Sequence, residues 1–85
     1  MLALVTGASS GIGYSLAKEL AKRKYDLIIC SSRDRLENAA DDFRNLGVEV
    51  IDVQADLATQ DGITEFWNRV KELNRPVDIA CLNAG

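Results

Sequence analysis

The sequence predicts an α/β fold built on a parallel sheet, and three observations carry that expectation. Short apolar runs alternate with segments of helical period from one end of the chain to the other. Runs one, two and four are apolar at consecutive positions, as strands covered on both faces are. The segments between the runs are long enough for helices. Strands separated by such helices pair in parallel through right-handed crossovers.

The first strand is Leu2–Thr6, LALVT. A helical segment follows over 12–24, with Ile12, Leu16 and Leu20 and the small Ala17 and Ala21 on one face. Asp26–Ser31, DLIICS, is the second strand. Residues 35–46 repeat the helical pattern through Leu36, Ala39, Ala40, Phe43 and Leu46, and Gly47 is a natural stop. Residues 48–53, VEVIDV, form the third strand. Thr59 can cap a third helix whose buried face holds Ile63, Phe66, Trp67, Val70 and Leu73. Pro76 ends that helix, and residues 77–82, VDIACL, form the fourth strand. The order is β-α-β-α-β-α-β, the N-terminal half of a doubly wound (Rossmann) sheet with strand order 3-2-1-4. Helices one and two share one face of the sheet and helix three takes the other.

At 85 residues the chain makes one small domain, 1–85, with a limited core. Apolar residues make up 47% and charged residues 27%, the balance of an ordinary globular protein. The net charge of −3 gives no general attraction to nucleic acid or anionic membranes. There is no long apolar span and no charged-then-apolar leader, so a cytoplasmic address is expected. Cys30 and Cys81 lie inside apolar runs and read as buried, reduced thiols. With no histidine and no CxxC, no metal site is expected.

The most informative stretch is VTGASSGIG, residues 5–13, which falls at the first strand-to-helix turn. An open parallel sheet binds ligands at this crevice. Backbone N–H groups of the turn and of the first helical residues point out unpaired, backed by the positive end of the helix dipole. A pyrophosphate fits there if side chains leave room. Gly7 permits the sharp turn, Gly11 a close backbone approach, and Gly13 close packing of the helix on the sheet. The spacing is GxxxGxG, not GxGxxG, and no GxxxxGK[ST] phosphate loop is present.

Thr6-Gly7-Ala8-Ser9-Ser10-Gly11-Ile12-Gly13 resembles the cofactor motif of the short-chain dehydrogenase/reductase family. Asp56-Leu57, past the third strand, resembles the family's Asp-Leu/Val pair. The resemblance implies that this acid accepts from the adenine amino group. Asn83-Ala84-Gly85, past the fourth strand, resembles the Asn-Ala-Gly motif, which supports the central sheet and lines the cofactor site. Leu82 stands where an asparagine is common. The likeness runs from Leu2 to Gly85 and implies a nicotinamide cofactor.

The end of the second strand reports which one. An acid there would hydrogen-bond the ribose 2′-hydroxyl and select NAD. This chain has Ser31-Ser32-Arg33 and no acid before the arginine. A guanidinium pairs with a 2′-phosphate and stacks on adenine. Ser32 adds a hydroxyl, and Arg35 a second positive charge. NADP is therefore expected over NAD.

The resemblance implies that a serine, a tyrosine and a lysine four residues later carry hydride transfer, on elements after the fourth strand. No such set is present, and no catalytic residue is assigned. Tyr14-Ser15-Leu16-Ala17-Lys18 has the spacing, but it opens helix one at the phosphate end of the site and reads as helix surface. The expected function is NADP(H) binding for an oxidoreductase, inactive alone. The alternative is a non-catalytic nucleotide-binding or self-association module. Strand four would be left as an apolar edge, with Leu4, Ala80 and Leu82 near an uncovered face. A homodimer through that strand and face is expected.

Overall fold

The computed structural model describes residues 1–9, 11–32 and 36–83. Its elements are β1 (Leu2–Thr6), α1 (Gly11–Lys22), β2 (Asp26–Ser31), α2 (Leu36–Arg44), β3 (Val50–Gln54), α3 (Gln60–Glu72) and β4 (Ile79–Cys81). The four strands form one parallel sheet in the order β3-β2-β1-β4. Leu2 lies opposite Asp26, Leu27 opposite Val50, and Ala3 opposite Ile79.

Alternation along the strands divides the core in two. Ala3, Val5, Leu27 and Ile29 pack with Ala17 and Ala21 of α1 and with Leu36, Ala39, Ala40 and Phe43 of α2. Leu2, Leu4, Ile28 and Cys30 pack with Phe66 and Val70 of α3. The first two helices thus cover one face and the third covers the other. Phe43 is the largest fully buried side chain. Its burial contributes about 2–3 kcal/mol.

Several edges of the expected pattern move. In α1 the buried stripe is Gly13, Ala17 and Ala21. Ile12 is 74% exposed and Leu16 38% exposed, not buried as the periodicity suggested. The small residues of this stripe face the sheet, and the larger Ile12 and Leu16 are left in contact with solvent. In α3, Phe66 and Val70 are buried, whereas Ile63 and Trp67 are exposed. Leu4, expected near the uncovered face, is buried beneath α3. Ala80 and Leu82 are exposed as expected. Cys81 is half-buried because β4 is an edge strand with one neighbour. β3 starts two residues later than expected, and β4 keeps only its centre.

The helix ends follow the sequence signals. Thr59 caps α3, its Oγ1 accepting from Gly62 N at 3.0 Å. Gly47 adopts φ 91° beyond α2, a left-handed stop. At the amino ends of the strands, Asp78 Oδ2 accepts from Leu2 N at 2.8 Å. Asp26 accepts from Glu49 N at 3.0 Å and from Arg75 at 3.1 Å. Among the described residues, no helix is long and apolar enough to cross a membrane.

Candidate functional site

The sequence-selected residues converge at the opposite, carboxyl ends of the strands. β1 runs straight into the glycine turn, where Gly7 (φ 64°) takes a left-handed conformation closed to most side chains. Its N–H donates to Cys30 O at 2.8 Å, and Ala8 N donates to the same carbonyl at 3.4 Å. The Ser9 and Ser31 hydroxyls lie 2.9 Å apart. The first half of the turn is therefore fastened to the end of β2.

Gly13 is buried where α1 meets the turn. A Cβ there would stand 2.0 Å from Gly7 O, so no side chain fits without displacing backbone. Gly11 differs: a Cβ would meet nothing within 4 Å, and only its φ of 62° calls for glycine. The start of α1 is thus open to whatever approaches it. No acidic residue sits in the first turn of α1 to oppose an anion there.

Past β3, Asp56 organises its own turn. Its Oδ1 accepts from Ala58 N at 2.9 Å, and its backbone carbonyl accepts from Thr59 N and Thr59 Oγ1. A Cβ on Gly62 would lie 1.9 Å from that carbonyl, so this small residue lets α3 begin directly beneath Asp56. Past β4, Asn83 takes over from the ladder. Its N–H donates to Thr6 Oγ1 at 2.9 Å, and its Nδ2 donates to Thr6 O at 3.2 Å. Thr6 Oγ1 donates in turn to Asn83 O at 3.2 Å. Thr6 thereby holds Asn83 at the end of the central strand.

These strand ends line an open cleft of about 560 Å3. Of the sequence-selected residues, Thr6, Gly7, Ser32, Asp56, Leu57 and Asn83 line it. Ser9, Gly11, Ile12 and Gly13 belong to the adjoining turn and helix start, with Ile12 facing solvent. Ser10, Arg33, Ala84 and Gly85 lie outside the described residues, as does Arg35. Sequence reasoning missed Cys30, Ser31, Ala55 and Ala58 in the wall, and gave Leu82 no site role. Only topology reveals them, because each simply ends a strand or follows one.

The wall combines strand-end backbone with hydroxyls, one thiol and one carboxylate. Burial pushes the Cys30 thiol up to about 11, so it stays protonated at neutral pH and is a poor nucleophile. Asp56 is the one carboxylate among the described lining residues. Tyr14 points elsewhere: its hydroxyl donates to Asp42 at 2.7 Å and its ring lies 5.2 Å from that of Phe43, tilted by 40°. The Asp42 carboxylate raises the Tyr14 pKa, chiefly through that hydrogen bond. Among the described residues, no cluster of His, Cys, Asp or Glu could hold a metal ion.

Comparison with known proteins gives this arrangement a lineage. The family described as short chain dehydrogenase matches over residues 1–85. A 3-oxoacyl-acyl-carrier-protein reductase of Staphylococcus epidermidis is 38% identical over 98% of this chain and 35% of its own length. Versicolorin reductase of Emericella nidulans is 34% identical over 99% of this chain and 33% of its own. L-sorbose reductase of Gluconobacter frateurii, solved with NADPH and L-sorbose, superposes with a TM-score of 0.91 at 35% identity. That superposition covers 99% of this chain and 33% of the reductase. An alcohol dehydrogenase of Thermococcus sibiricus, solved with 5-hydroxy-NADP, gives 0.86 at 36% identity, covering 93% of this chain and 34% of the enzyme. The chain spans about a third of the length of the curated relatives it matches. Matched along its whole length, with the glycine turn, Asp56-Leu57 and Asn83 each at the end of its strand, the chain belongs to the short-chain dehydrogenase family.

Proposed function

We infer that residues 1–85 form the NADP(H)-binding portion of a short-chain dehydrogenase-like oxidoreductase, one truncated domain that is inactive by itself. The observation that carries this reading is the convergence of the glycine turn, the ends of β2 and β3, and Asn83 around one cavity. NADPH and 5-hydroxy-NADP in two solved relatives support the choice of cofactor.

The residues present fit a dinucleotide. The N–H groups of Gly7 and Ala8 are taken by Cys30 O, not unpaired as expected. Gly7 would therefore shape the turn, while Ser9, Ser10, Gly11, Ile12 and Gly13 would hold the pyrophosphate on backbone N–H groups, with open space at Gly11. Asp56 would accept from the adenine amino group, with Leu57 supplying apolar wall. Thr6, Asn83, Ala84 and Gly85 would border the site toward the nicotinamide. Ser32 and Arg33 would meet the 2′-phosphate. When bound, NADPH supplies a hydride. The chain's own residues bind and orient, and none is assigned a proton-transfer role.

A specific observation also favours self-association. β4 is an edge strand with exposed Ala80 at its centre, and Leu82, Trp67 and Ile12 are 77%, 52% and 74% exposed. The reading includes a twofold dimer through β4 and the adjacent sheet face. Free Cys30 and Cys81 suit a reducing cytoplasm.

Calorimetry with NADP and NAD tests the cofactor assignment. Arg33→Ala is expected to lower NADP affinity about 10- to 100-fold, the worth of a charge-assisted contact, and to leave NAD affinity nearly unchanged. An unaltered NADP/NAD ratio would remove Arg33 from the site.

A further inference from the structure

The Ser9–Ser31 contact has no place in the functional reading above. Ser31 is buried at the last position of β2 and lines the cavity, while Ser9 sits in the glycine turn outside the cavity wall. Their hydroxyls are 2.9 Å apart across 22 residues of sequence. The same junction carries the Gly7 and Ala8 N–H bonds to Cys30 O. One residue further along, Ser31 O accepts from Ala55 N at 3.1 Å, which carries the linkage to the end of β3 and so to Asp56.

We propose that Ser31 is a positioning residue for dinucleotide binding: through Ser9 its hydroxyl holds the glycine turn in register with the ends of β2 and β3. A turn with glycine at Gly7, Gly11 and Gly13 has many conformations in isolation, and a ligand that spans it must freeze them on binding. Fastened beforehand, the turn presents its N–H groups without that cost. The hydroxyl pair therefore acts on ligands that reach the turn. A ligand confined to the adenine end, beside Asp56 and Leu57, gains nothing from it. This inference rests on the nucleotide reading above and adds Ser31, to which it gives no direct contact with the ligand.

The test measures the affinity of NADP and of adenosine for wild type, Ser9→Ala, Ser31→Ala, Ser31→Thr and the Ser9→Ala/Ser31→Ala double variant. Each single alanine variant is expected to weaken NADP about 3- to 10-fold, the range for one neutral hydrogen bond. The double variant is expected to lose less than the sum of the two single losses, since both remove the Ser9–Ser31 contact. Ser9→Ala leaves adenosine affinity unchanged, and Ser31→Thr, which keeps the hydroxyl, recovers most of the NADP affinity. Because Ser9 is only half-buried, Ser9→Ala keeps the test open if Ser31→Ala unfolds. Additive losses, or equal losses for NADP and adenosine, would overturn the positioning role while leaving the nucleotide site intact. If wild type takes up neither ligand, the nucleotide reading and this inference fall together.

Discussion

Gly13 shows how one missing side chain sets the site. A methyl group there would meet Gly7 O at 2.0 Å and Gly7 C at 2.7 Å, both backbone atoms with nowhere to go. Gly13→Ala is therefore expected to destabilise the chain by about 2–3 kcal/mol, as overpacking does. Chemical denaturation measures this directly, and a loss under 0.5 kcal/mol (about the scatter of neutral surface changes) would mean the turn shifts easily. The glycine spacing made this residue legible in the sequence. Ser31 was not legible as a site residue: a serine closing an apolar strand carries no pattern, and its partner is 22 residues away. Cys30 was read as a buried thiol, and it is buried. Its place in the cavity wall follows from strand register alone.

Among the elements, strands were easier to read than helix faces. Runs such as LALVT and DLIICS announce strands because the residue types and the length agree. A helix with apolar residues around half its circumference does not announce which of them the sheet will cover. In α1 the answer is the small stripe, and in α3 it is Phe66 and Val70. The amino ends of the strands are joined by charge. Asp26 lies below the usual carboxylate range, first because it accepts from Glu49 N and then because Arg75 is beside it. A depressed carboxylate stabilises the fold above its unfolded pKa of 3.8, and that contribution is lost as pH falls through the folded value. Asp26→Asn should thus lower the urea midpoint at pH 7 and lose that difference as pH falls through the depressed folded value, below the ordinary carboxylate range. Equal midpoints for variant and wild type at pH 7 would show that the Arg75–Asp26 link is without consequence.

On the scale of the whole molecule, the topology 3-2-1-4 was legible because parallel crossovers have one hand and the glycine turn fixes which strand comes first. The extent of the uncovered surface was not. α3 reaches further over β1 than its sequence suggests, and it buries Leu4 with Phe66 and Val70. What stays exposed is concentrated at β4, on Leu82 and on the flanks of α1 and α3. Sedimentation at micromolar concentration is expected to show a dimer, since twofold contacts are the commonest way to cover such an edge. A folded monomer would show that these exposed residues are tolerated in water.

In the proposed function, ligand binding belongs to the carboxyl ends of the strands and the turn beside them. Amide NMR during titration with NADP tests it most directly. Saturable shifts are expected at Gly7, Ala8, Gly11, Gly13, Asp56 and Leu57, with Asp26, Glu49 and Asp78 at the opposite edge unmoved. Shifts centred on that opposite edge, or none at millimolar NADP, would contradict it.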